Sequence, residues 1–406
     1  MARRDDSGPP DPAPSQFDHN DPEFIRNPHA VYLEFQKSQP VVHSERYGGY
    51  WLLTRYHDVR NALLDWQTFS SGTPGVTSIP SSVRRDFPEI PLEVDPPQHA
   101  KYRDIETPWF SRASVGKLES DVRRIANDLI DDFIGDGRAD VVQQFAVPFV
   151  SRVLTVFLRL PEKDADDLTA WVSAIFQGRL SDPEGADRAS AALIGYIDET
   201  IADRRRHPAD DYFTMLTRAT IDGRPLNDLE IRGYGVVTMT AGQETTVNGI
   251  GMSLWYLAEH PADKQRLTAD PALIPTAIEE FLRFMSPIQL LGRSTVVPVE
   301  VGGTKIPAGQ TVAMCYGAAN VDDAIFERPE ECIIDRRPNP HIAFGTGPHS
   351  CIGAHLARLE MRVAIEEVFR RLPDYRLEDP TMLEYTPHGD LRGFWALPVV
   401  FGDGGG

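Results

Sequence analysis

Cysteine is scarce in this chain: Cys315, Cys332 and Cys351 are the only three among 406 residues. Three thiols cannot all pair, so no disulfide framework organises the fold, and such sparse usage fits a reducing cytoplasm. None of the three sits at a spacing that would build a zinc site. An apolar run near the start is also missing. Met1 to Ser15 is charged and proline-rich, which leaves no signal or membrane anchor there and reads as a disordered tail. Positive charge is the third deficit. Lys and Arg number 41 against 60 Asp and Glu, a net charge of -19, which counts against nucleic acid as a partner because a duplex would repel it.

What is present describes a globular protein with ample material for a core, at 41% hydrophobic and 25% charged residues. Val41 to Thr54 alternates around Gly48-Gly49 as a hairpin, and a short helix is predicted over Tyr56 to Trp66. Ser70 to Asp95 is rich in Ser, Pro and Gly and reads as a long loop. Leu118, Val122, Ile125, Leu129 and Phe133 recur at helical spacing before Gly135-Asp136-Gly137. Further helices are expected over Val141 to Leu158, Glu162 to Ile175, Ala186 to Arg206, Thr276 to Phe284 and Ala354 to Leu372. Asp228 to Glu259 is apolar on most faces and predicts one helix of about 32 residues, roughly 48 Å, running through the body of the protein. Ser294 to Val312, with turns at Gly302-Gly303 and Pro307-Ala308-Gly309, reads as strands. The fold class is mainly α with a minor β portion. No linker divides the chain, so one domain over residues 16–406 is expected after the tail.

The most informative stretch is Phe344-Gly345-Thr346-Gly347-Pro348-His349-Ser350-Cys351-Ile352-Gly353. An unpaired thiol stands among small residues, immediately before a helix. Glycine allows close backbone approach to a flat ligand and lets amides point at the sulfur, and the helix start favours a thiolate. A lone cysteine beside a turn is more often structural. Here the glycines, His349 and the Ala-rich helix occur together, and the stretch resembles the haem-binding loop of the cytochrome P-450 superfamily, in which this cysteine is the proximal iron ligand.

That resemblance covers Asp18 to Val400 and implies the superfamily's fold, with a long central helix over a buried haem b (iron protoporphyrin IX). Phe344, Gly345, His349, Cys351 and Gly353 would form the cofactor loop, with Cys351 as the metal ligand. His99 and Arg103, in the run Asp95 to Arg103, together with Arg293 and His349, would bind the haem propionates. Within Thr240 to Thr246, Ala241 and Gly242 would leave room over the haem. Thr245 would hydrogen-bond dioxygen and Glu244 would relay protons, so these two are the catalytic candidates. A polar island in an apolar helix is otherwise a water-filled kink or an exposed face.

Glu280 and Arg283 match the Glu-x-x-Arg motif, completed by Arg336; taken alone, such a pair is a surface contact worth about 0.2–0.5 kcal/mol. Cys332 and Ile333 depart from the aromatic and acidic residues common there. Ile175, Phe176, Val237, Ala241, Ile288, Gln289, Phe394 and Trp395 are the implied substrate-lining positions. Arg84 and Arg85 read either as a clamp for an acidic group or as exposed charge. Lys101, Arg112, Arg358 and Arg362 would face an electron donor, or are ordinary surface charge.

The expected function is a haem-dependent monooxygenase that hydroxylates a small hydrophobic substrate with dioxygen and electrons from a ferredoxin and its reductase. The alternatives are a peroxide-using haem-thiolate enzyme, which would have less need of Glu244 and Thr245, and a non-catalytic haem carrier or sensor. A cytoplasmic monomer, with neither membrane nor nucleic-acid contact, is expected.

Overall fold

The computed structural model describes residues 16–80 and 87–402. The tail expected over Met1 to Ser15, and Arg84 and Arg85, lie outside them. Helices dominate and strands are few and short, as the patterns predict. One five-stranded sheet forms a lateral layer. Its strand order is Val41–Ser44, Tyr50–Leu53, Thr311–Cys315, Leu290–Thr295 and Phe69–Ser70. Tyr50–Leu53 runs parallel to Thr311–Cys315, with Val312 opposite Trp51. The hairpin expected over residues 41–54 is its first pair, closed by Gly48 and Gly49 at positive φ.

The helical body is built round Asp228–Ala241 and Glu244–Glu259. A single helix over residues 228–259 does not form. Gln243 is distorted from regular helical geometry, at φ -104° and ψ -76°, and the Thr246 and Val247 amides both turn to its carbonyl at 3.1 Å. Gly242 marks the break. A Cβ there would meet the Thr238 carbonyl at 2.8 Å and Leu154 at 3.3 Å, so a larger residue does not fit. Residues 141–158 likewise divide into a wide turn, Val141–Ala146, and the helix Val147–Leu158, whose first turn holds Pro148. This segment is long and apolar enough to cross a membrane, but 72% of it is buried in the core. The helix expected to end at Ile175 continues as Ala165–Ser181.

One buried charge cluster fixes the segment leading to Cys351. Glu280 and Arg283 are fully buried on helix Ile274–Met285. Both guanidinium arms used by Arg283 reach Glu280 at 2.8 Å, and Arg336 Nε lies 3.0 Å from each carboxylate oxygen. The Ile333 amide and the Asn339 side chain also donate to Glu280. Arg283 donates onward to the carbonyls of Asn320, Pro329 and Glu331. Arg336 does the same with Glu327, Arg328 and Glu331. One carboxylate thereby ties an irregular segment to a helix, and the exposed-pair alternative does not apply.

Removing one partner of such a cluster strands a buried charge. Arg283→Ala should lower stability by about 3–5 kcal/mol, read from urea denaturation; a loss below about 1 kcal/mol would equate the cluster with a surface pair.

Candidate active site

Glycine geometry shapes the cysteine loop. Gly345 and Gly347 take φ of +68° and +73°, and a Cβ on Gly347 would come within 2.9 Å of the Leu63 carbonyl. The Cys351 amide closes the loop on the Phe344 carbonyl at 2.8 Å. Cys315 is buried, whereas Cys351 is accessible, though densely surrounded by protein. That enclosure desolvates the thiol and raises its pKa, against the pull of the Gly353 and Ala354 amides and of Arg103 and Arg358. The helix start thus favours the thiolate, but the net direction is upward. A metal cation is the partner that would compensate a thiolate in such surroundings.

Four basic groups from three segments, one of them the loop itself, gather at the cysteine loop. Arg103, on helix Gln98–Glu106, donates to the Ser350 carbonyl at 2.6 Å. The His99 and His349 rings lie 4.3 Å apart. Burial, then Arg103, lowers the pKa of His99 to about 4. Burial, then Arg293, lowers that of His349 to about 2. Arg293 is buried and donates to its neighbour's carbonyl, Gly292. His99 Nε2 is buried without a partner. Two guanidiniums and two neutral imidazoles, one with an unused nitrogen, suit a ligand carrying two carboxylates. The residues present therefore fit haem, with Cys351 for the iron and this cluster for the propionates.

Ser71 belongs to this group although the pattern reading passed over it. Its hydroxyl lies 2.9 Å from His349 Nε2, and Asp95 accepts from its amide at 3.0 Å. The Ser70-Ser71-Gly72 turn was the available signal.

The helix break carries the catalytic candidates. Ala241 is exposed and Gly242 half-buried. Thr245 Oγ1 donates to the Ala241 carbonyl at 3.0 Å, so its oxygen remains free to accept. Glu244 is buried, and desolvation alone lifts its pKa to about 7. Ile175, Phe176, Val237, Ile288 and Trp395 keep partial exposure.

Two expected lining residues point elsewhere. Ser286, at φ 43°, turns the chain back, so Gln289 caps the carbonyls of Met285 and Ser286 and accepts from Tyr32. Phe394 is buried between Trp255 and Tyr385, at ring distances of 5.5 and 4.8 Å.

The expected donor-facing cations are mostly neutralised. Lys101 pairs with Asp222 at 2.6 Å. Arg358 pairs with Glu279 and lies over the Phe344 ring. Arg362 pairs with Glu119 and Glu366. Arg112 is exposed and has no ion pair among the described residues.

A family model described as cytochrome P-450 matches residues 181–381. The chain is 34% identical to cytochrome P-450 107B1 of Saccharopolyspora erythraea, over 93% of its own length and 96% of that protein's. It is equally identical to vitamin D(3) 25-hydroxylase of Pseudonocardia autotrophica, covering 93% and 95%. Among solved structures it superimposes on the polyketide-synthase cytochrome PksS of Bacillus subtilis with a TM-score of 0.87 at 30% identity, covering 95% of this chain and all of that one. A Bacillus megaterium relative in complex with testosterone gives 0.86 at 29% identity, covering 93% and 99%.

Burial of Glu244 has a measurable cost. Unfolded, the carboxyl ionises near 4.5; folded, it holds its proton to about 7, so stability falls as pH rises between those values and the full penalty applies above them. Glu244→Gln should match the wild type below that window and exceed it by on the order of 3 kcal/mol above it. Denaturation curves on both sides of the window check this; equal stability at high pH would mean that Glu244 has a compensating partner.

Proposed function

The chain belongs to the cytochrome P-450 family, and from that premise we propose that it hydroxylates a small hydrophobic substrate using electrons from a ferredoxin-type donor. Membership makes it a monooxygenase with haem b as cofactor. The observation that carries the assignment of residues is an accessible thiol beside a cluster of four basic groups, one of them with an unpartnered buried ring nitrogen. Haem, when bound, supplies the activation of dioxygen.

The chain's own residues do the rest. Cys351 is the thiolate ligand, oriented by the Gly353 and Ala354 amides, and His99, Arg103, Arg293 and His349 hold the propionates. Phe344, Gly345 and Gly353 shape the loop against the ring. Ala241 and Gly242 leave room opposite. Glu244, with a pKa near neutral, can take and give a proton at working pH. Thr245 Oγ1, its own proton engaged by Ala241, accepts the hydrogen bond that orders proton delivery. Ile175, Phe176, Val237, Ile288 and Trp395 give the pocket its apolar character. The relatives named for vitamin D(3) and solved with testosterone support a hydrophobic substrate. We place the enzyme in the cytoplasm as a monomeric single domain.

Thr245→Ala should retain haem and substrate binding and still consume NADH with redox partners, but divert most electrons to hydrogen peroxide. Product formed per NADH is the measurement; an unchanged ratio would make Thr245 a packing residue. Arg112 is the cation available for a small acidic donor. Charge reversal there should raise the donor's apparent KM several-fold at low salt, and an unchanged KM would place docking elsewhere.

A further inference from the structure

Glu106 is a buried acid with no part in the reading above. It ends helix Gln98–Glu106, one turn beyond Arg103, at 1% exposure. Its Oε2 accepts from the Tyr212 hydroxyl at 3.1 Å, and its Oε1 has no partner. The same hydroxyl lies 3.1 Å from Thr238 Oγ1 on helix Asp228–Ala241. Trp109 and Phe110 pack against Tyr212, so three polar groups from distant segments meet inside an apolar layer. A half-satisfied carboxyl is costly there.

Its electrostatic neighbours are few. Arg103 faces it from its own helix, Tyr212 from helix Tyr212–Arg218, and Tyr234 from helix Asp228–Ala241. Both tyrosines are held neutral by burial, which pushes their pKa values far up. Arg103 is therefore the one permanent charge facing Glu106 among the described residues. It also binds the Ser350 carbonyl, and Cys351 is its other negative neighbour. Burial, opposed by the Tyr212 bond and the Arg103 charge, leaves the Glu106 pKa at about 7.

We propose that Glu106 is a redox-linked proton site: as the donor gives up an electron to the haem iron, Glu106 Oε1 takes a proton from water, and it releases that proton when the electron leaves. Glu106 acts through Arg103 and is a positioning residue. Ionised Glu106 neutralises part of the Arg103 charge, which favours the oxidised site. Protonated Glu106 leaves Arg103 uncompensated, which favours the reduced one. By reciprocity, reduction must favour protonation. This rests on the haem assignment above.

The test is the midpoint potential of the holoenzyme as a function of pH, a unit either side of the Glu106 value. The wild type should fall with rising pH and Glu106→Gln should lose that slope. His99 and His349 titrate well below the window. Glu244 titrates within it, so the comparison is repeated in a Glu244→Gln background, where the slope that remains should be lost on adding Glu106→Gln. Tyr212→Phe removes the bond that lowers Glu106 and should move the curve to higher pH, which serves if Glu106→Gln does not fold. Redox-difference infrared spectra should show a protonated-carboxyl band gained on reduction and absent from Glu106→Gln. Equal slopes in wild type and Glu106→Gln, a slope lost only in Glu244→Gln, or an unmoved curve in Tyr212→Phe would overturn the proposal alone. A wild type without the thiolate signature of its reduced carbonyl complex would overturn the haem assignment and the proposal with it.

Discussion

The structure depends on one carboxylate with nothing but protein around it. Glu280 receives two bonds from Arg283, a shared one from Arg336, one from the Ile333 amide and one from Asn339. An ion pair so placed gains little net stability over an apolar substitute, because desolvating the charges offsets their attraction. What it supplies is position. Residues 320–343 have almost no regular structure, and the arginine donors bind their carbonyls to one helix. Glu279, the preceding residue, extends the hold to the cysteine helix, Ala354–Arg371, through Arg358 and to the segment before the loop through His341. Burial disfavours its ionisation, yet those two partners keep its pKa at about 2. The loop bearing Cys351 therefore has a fixed approach on both sides.

The catalytic candidates rely on a defect in a helix. A helix that continued through Gly242 and Gln243 would satisfy every amide and leave no polar atom aimed outward. The break instead assigns the Ala241 carbonyl to a side-chain hydroxyl and places Glu244 at the start of a new helix. Glu106 and Glu244 are both buried acids lifted towards neutrality by desolvation, one on the side of Arg103 and one at the break. Protonation near working pH is thus available at both acids, while His99 and His349 remain neutral.

Legibility in the sequence followed how local each constraint is. The cysteine loop could be read because positive φ at Gly345 and Gly347 and the amides near the sulfur are demands made within ten residues. The hairpin and the amphipathic helix ending at Phe133 were legible for the same reason. The break was only half visible: Gly242 signalled strain, but its size depends on Leu154, from another helix. Gln289 and Phe394 were misplaced because side-chain direction was set by the turn at Ser286 and by packing against Trp255, neither of which has a periodicity. The Glu106–Tyr212–Thr238 contact was not legible, since three segments each contribute one polar residue. Arg358 and Arg362 looked like free surface cations because their carboxylate partners arrive from other helices.

The central claim is that Cys351 presents a thiolate to iron. Reduced, carbon monoxide-treated protein reports this directly. The wild type should show the red-shifted absorption that a thiolate ligand produces, and Cys351→His, which still offers iron a ligand but a neutral one, should bind haem without it. Retention of that absorption by Cys351→His, or its absence from the wild type, would contradict the account.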